Sequence, residues 1–156
     1  MTPSGTPATG TTILALDVGE ARIGVARGVA GSSMAFGRGA ITRRGTKSDV
    51  KAVASVAAAE GAKLVVVGLP LNLDGTDSAQ TVKVRAFATE LEAALASIGA
   101  SVALEDERLT TRMAQRQIGT GPLPRGKRQV RGLLDEAAAV LILESYLART
   151  KEEPRA

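Results

Sequence analysis

The sequence predicts an α/β protein built on a mixed five-stranded sheet with helices on both faces. Three observations predict it. Residues 12–42 hold three apolar runs separated by glycine-rich turns, the pattern of an antiparallel meander. After residue 48, helical periodicity alternates with short apolar runs, which implies parallel pairing. The runs near residues 12 and 63 are continuous rather than alternating, as in strands covered on both sides.

Each element has its own signal. "TILALDV" (12–18) reads as a central buried strand, followed by "RIGVARGV" (22–29) and "SMAFGRGAIT" (33–42). Residues 48–60 are helical, with Ser48 as the cap and Val50, Val53 and Val56 or Ala57 on one face. Gly61 ends that helix, and "KLVVVGLP" from Lys63 is the fourth strand, stopped by Pro70. Thr76, Asp77 and Ser78 all offer caps for a long helix with a stripe of Val84, Phe87, Leu91, Leu95 and Ile98, stopped at Gly99. "SVALEDE" from Ser101 is the fifth strand. A short helix is expected from Thr110 or Thr111 to Ile118, then a loop over "GTGPLPRGKR". The last helix is expected over 130–148, packing through Leu134, Ala138, Leu141 and Ser145.

Composition bounds the chemistry. A length of 156 residues suits one domain, and 44% apolar residues suffice for a core. Aromatics are only 2% (Phe36, Phe87 and Tyr146), which argues against base stacking as a binding mode. There is no cysteine and no histidine, so disulfides, thiolates, imidazole bases and the usual zinc sites are excluded. A net charge of +4 makes a polyanion a plausible partner. Residues 1–11 lack the features of a signal peptide and read as a disordered tail. Residues 149–156 read as a frayed end, leaving one domain over 12–148. No apolar run is long enough for a membrane span, and the missing cysteine is compatible with a cytoplasmic protein.

Acids stand where strands end. Ile13, Ala15 and Asp17 share one face of the first strand, so Asp17 sits at its carboxyl end, where open α/β sheets gather ligands. The fifth strand runs into Glu105, Asp106 and Glu107, and Asp135 is expected in the first turn of the last helix. Carboxylates brought together repel by roughly 4 kcal/mol per pair at 4 Å and an effective dielectric near 20. A cation relieves this, and without His or Cys the suited ions are Mg²⁺ or Mn²⁺. Two such ions can generate hydroxide and stabilise the leaving oxygen of a phosphodiester. The plainer alternative is that Asp17 forms a turn and that Asp135 and Glu136 favour a helix dipole.

Between Arg108 and Arg131 lie seven cations and no acid: Arg108, Arg112, Arg116, Arg125, Lys127, Arg128 and Arg131. Arg108, Arg112 and Arg116 recur every four residues, on one helix face. A nucleic-acid backbone fits such a segment, with salt-dependent affinity; a solvated face is the alternative. Asn72, Asp74 and Gly75 follow the fourth strand and either contact substrate or form an Asx turn.

"LALDVGEARIGVA", "VVGLPLNLDGT", "EDERLTT" and "LDEAAAVLILESYL" together resemble, in order and spacing, the YqgF/RuvX family of bacterial nucleases over nearly all of residues 12–148. The resemblance implies a ribonuclease H-like fold related to the RuvC-type Holliday junction resolvases. It also implies a metal-dependent nuclease acting at the 5′ end of precursor small-subunit ribosomal RNA or on DNA junctions. The family's metal-binding acids carry over as Asp17, Glu107 and Asp135, with Asp106 in reserve for Glu107. RNA and DNA are both compatible substrates, and the chain would act as a monomer or a homodimer. Sugar-kinase and actin-like ATPases share the core fold, but they need two such domains, and this chain has no Walker-type loop. A non-catalytic binding module is disfavoured because all three acid positions are filled.

Overall fold

The computed structural model describes residues 6–108 and 127–152. Its strands are β1 (Thr12–Val18), β2 (Arg22–Val29), β3 (Ala35–Thr42), β4 (Leu64–Leu69) and β5 (Ser101–Asp106). The helices are α1 (Thr46–Glu60), α2 (Ala79–Leu95) and α3 (Lys127–Glu152), with a 3₁₀ turn at Ala96–Ile98. The sheet order is β3-β2-β1-β4-β5. β1 pairs with β2 and β2 with β3 antiparallel, while β4 pairs parallel with both β1 and β5. This is the mixed sheet the sequence predicts. The short helix and most of the loop expected after Arg108 lie outside the described residues.

Two cores hold the layers together. On one face, Leu14, Leu16, Val18, Val65 and Val67 meet α1 and α2 through Val50, Val53, Phe87, Leu91 and Leu95. On the other, Ile13, Ala15, Ala26, Leu64 and Val66 meet α3 through Ala139, Ile142, Leu143, Tyr146 and Leu147. The alternation along β1 therefore sorts Asp17 onto the α3 face.

Two local expectations change and one is narrowed. Helix α1 starts at Thr46 after Gly45, which has φ 141°, a backbone region that favours glycine. Ser48 is not its cap; Asp49 in the first turn reaches back instead and accepts from the Arg44 N–H at 2.9 Å. Helix α2 takes Ser78 among its three candidates, because Ser78 and Thr81 satisfy one another's backbone N–H groups in a capping box. Helix α3 buries Ala139, Leu141, Ile142, Leu143, Tyr146 and Leu147; of the expected stripe only Leu141 is buried, and the face is rotated from the rest. Residues 137–143 are all apolar, so spacing alone admitted either face. Small residues on β2 choose between them: Gly28 lies against Leu143 and Leu147.

Gly10 donates to the Ala30 carbonyl, and Ala30 donates back to the Thr11 carbonyl, at 2.9 and 2.8 Å. At the other end α3 continues to Glu152, and the Thr150 hydroxyl is buried and bonded to the Tyr146 carbonyl.

Candidate active site

β1 is the middle strand, so Asp17 has a neighbour on each side. Its partner on β2 is Gly24. On β4, Gly68 stands one residue beyond the last paired residues, Leu16 and Val67. Neither neighbour has a side chain, and both spaces are used. A Cβ at Gly24 would overlap the Asp135 carbonyl, so the α3 backbone rests directly on β2 there. A Cβ at Gly68 would stand 2.6 Å from a Glu107 carboxylate oxygen and would overlap the Ile142 side chain. Two glycines thus let Asp135 and Glu107 approach Asp17 from opposite sides. Sequence reasoning missed both, although Gly68 follows Leu64 and Val66 at the parity of the α3 face.

The electrostatics record the crowding. Burial, then the charge of Asp135, pushes the Asp17 carboxyl up to about 6. Burial, then the charges of Asp17 and Asp106, pushes Glu107 up to about 8. Glu107 is 8% exposed. Among the described residues, no arginine or lysine figures in the groups acting on either acid. Their oxygen-only chemistry and the space cleared by the two glycines fit an oxygen-preferring divalent cation.

Asp135 is treated differently. It stands two turns inside α3 rather than in the first turn, so a helix dipole does not explain it. Its Oδ2 accepts from Arg22 Nε at 2.8 Å, with both side chains about one-fifth exposed (23% and 22%). Arg22 opens β2 on the same face as Gly24. The next residue, Glu136, is anchored as well: its carboxylate fills the space over Gly37 and accepts from the Gly39 N–H at 2.5 Å. Among the described residues, no group of three or more acids closes tightly enough to hold a metal ion as it stands. Asp17 interacts with both other acids, but Asp135 is drawn towards Arg22.

The remaining acids of the fifth strand have other partners. Glu105 faces α3, where it accepts from Ser145 at 3.1 Å and from Arg149 at 2.5 Å. Asp106 has the opposite parity and is clasped by Nε and Nη2 of Arg108, which hold its carboxyl below the usual range. Arg108 also donates from Nη1 to the Leu73 carbonyl at 3.0 Å, so its guanidinium braces the loop after β4. Within that loop Asn72, Asp74 and Gly75 form a self-contained turn: Thr76 donates to Asp74 Oδ1 from its backbone N–H and its hydroxyl. Of the other expected cations, Arg112, Arg116 and Arg125 lie outside the described residues. Lys127, Arg128 and Arg131 sit on the first turns of α3.

The turn leaving Asp17 is braced from the far face. Gln80 on α2 donates to the Val18 carbonyl at 3.2 Å. Arg43 donates to the Gly19 carbonyl at 2.9 Å and stacks 5.5 Å from the Phe87 ring centroid. Buried Asp49 holds Arg43 at 3.0 Å. Burial pushes Asp49 up, but hydrogen bonds from Arg44 and Arg43 outweigh it and leave the carboxyl below its ordinary value.

A parallel-and-antiparallel sheet with acids at its carboxyl edge and helices on both faces defines a ribonuclease H-like protein. Solved structures agree on the fold. RuvC from T. thermophilus bound to a Holliday junction substrate superposes with a TM-score of 0.55 at 15% identity, covering 93% of this chain and 99% of that one. The family model described as "RuvX: Holliday junction resolvase" matches residues 11–149, and the chain belongs to that family. A Thermus thermophilus protein named "Putative pre-16S rRNA nuclease" is 47% identical over 86% of this chain and 96% of its own length. "Ribonuclease YqgF" of Deinococcus radiodurans is 41% identical over 94% of this chain and 95% of its own.

Proposed function

We propose that this protein is a metal-dependent nuclease that hydrolyses phosphodiester bonds in precursor 16S ribosomal RNA. The observation that carries this reading is the crowded carboxylate pair, Asp17 and Glu107, unpaired among the described residues at the carboxyl edge of the sheet. Two relatives covering nearly the whole chain carry names of RNA-cleaving enzymes, which favours RNA over a DNA junction. A role in rRNA processing would place the protein in the cytoplasm; among the described residues no helix is long and apolar enough to cross a membrane.

Asp17, Glu107 and Asp135 would hold one or two Mg²⁺ or Mn²⁺ ions, which when bound supply an activated hydroxide and stabilise the leaving oxygen. Asp17 presents its carboxylate from the rigid middle strand, so its position varies little. Glu107 lies over Gly68 beside Ile142, which is fully buried and walls off water on the inner side. That dry wall raises the cost of two like charges and so the pull on a cation. The cations from Arg108 to Arg131 would hold the phosphate backbone, Arg108 after leaving its contact with Asp106.

Cleavage of a 5′-extended 16S precursor, single-stranded DNA and a four-way junction in Mn²⁺ tests the reading. Asp17→Asn and Glu107→Gln should each lower RNA cleavage at least 100-fold while leaving RNA binding within a few-fold of wild type. Full cleavage by either variant, or in excess chelator, would overturn it. Preference for the junction, with a dimer in solution, would assign the same site to DNA instead.

A further inference from the structure

We propose that Arg22 is a built-in counter-ion that occupies Asp135 until a divalent cation displaces it, so that Arg22 sets the affinity of the site for metal. The inference rests on the metal-dependent reading above. Glu107 lies over Gly68 and feels the charge of Asp17, and among the described residues neither is paired with a cation, whereas Asp135, whose charge also acts on Asp17, is bound to Arg22 Nε at 2.8 Å. The three acids do not close round one point as they stand. What is left to move is its side chain, because its backbone is packed against Gly24.

The backbone of Asp135 cannot shift. Its carbonyl rests on Gly24, the residue paired with Asp17, and Glu136 pins the same turn to β3 through Gly37 and Gly39. Only the side-chain torsions of Asp135 are available, and the Arg22 contact is what fixes them. Arg22 is itself held by its place at the start of β2, where its carbonyl accepts from the Gly19 N–H at 2.9 Å. Exchange therefore needs two side-chain rotations and no backbone motion. The pair is single and still reached by solvent, with side chains 23% and 22% exposed, so a divalent cation drawn by the other two carboxylates can displace it. Arg22 then keeps Asp135 from adding a third unpaired charge to the empty site, and it weakens metal binding by the work of breaking the pair.

Mn²⁺ binding, measured by calorimetry on folded protein at pH 8, tests this without reference to cleavage. Arg22→Gln should tighten Mn²⁺ binding about five- to tenfold. In an Asp135→Asn background the same change should have little effect, because the competition runs through Asp135. No tightening, or equal tightening in both backgrounds, would overturn the proposal; the second result would mean only a general charge effect. Mg²⁺ titration of wild type should also shift the Arg22 Nε–H resonance, and an unmoved signal would count against exchange. Mn²⁺ affinity unchanged in Asp17→Asn would instead sink the metal reading, and no saturable Mn²⁺ binding in wild type would sink both.

Discussion

Asp17 and Glu107 are costly residues. Each is more readily protonated in the folded chain than in the unfolded one, since their values rise from 3.8 to about 6 and from 4.5 to about 8. The folded state therefore binds more protons than the unfolded state across roughly pH 4 to 8, and stability falls as pH rises through that window. Without metal, the protein should be more stable at pH 5 than at pH 8 in thermal melts. Glu107→Gln should gain on the order of 1–2 kcal/mol at pH 8 and nothing at pH 4. A variant that loses stability at pH 8 would contradict the claim that this carboxylate is unpaired. Added Mn²⁺ should stabilise wild type more at pH 8 than at pH 6, because protons and metal compete for the same oxygens. Asp49 shows the contrast: it is 1% exposed, but Arg43 and the Arg44 N–H meet its charge and hold its carboxyl below the ordinary value.

The elements are placed by what they lack. Helix α3 crosses β2 over Gly24 and Gly28, and Ile142 settles over Gly68. A methyl group at Gly24 would meet the Asp135 carbonyl, a backbone atom that no side-chain rotation can move. Gly24→Ala should therefore cost about 3 kcal/mol or more, read as a fall in the urea midpoint, and should misplace Asp135. Gly28→Ala meets mainly the flexible ends of Leu143 and Leu147, besides a carbonyl at 3.1 Å, and should be milder. Equal losses from the two would show that α3 is not seated by close backbone contact at Gly24. Helical periodicity could not fix this face. It put Leu134, Ala138, Leu141 and Ser145 on the packed face, of which only Leu141 is buried, because an apolar run satisfies several stripes at once.

At the scale of the whole molecule, charge and topology divide the work. The sheet brings the carboxyl ends of β1, β4 and β5 to one edge, and the chain carries a net charge of +4. RNA binding should weaken as salt rises, with a log–log slope of about −0.7 for each phosphate contact on single-stranded RNA. Replacing Arg125, Lys127 and Arg128 together by Gln should flatten that slope by about 2 and weaken binding to all sequences alike. A slope that does not change would place the RNA elsewhere on the surface.

The sequence by itself determined the element order, the mixed sheet and the parity that turns Asp17 towards α3. These follow from local periodicity, which each segment carries within itself. It also supplied the acids, but left the second ligand open among Glu105, Asp106 and Glu107, with Glu107 preferred. Only the tertiary structure decided which groups answer those acids. Arg22 meeting Asp135, Arg149 meeting Glu105 and Arg43 bracing the Gly19 turn all join residues from different elements. The glycines that admit Glu107 and Asp135 act through side chains that are missing. The value of an empty space depends on what another segment puts into it, and a linear chain does not state that.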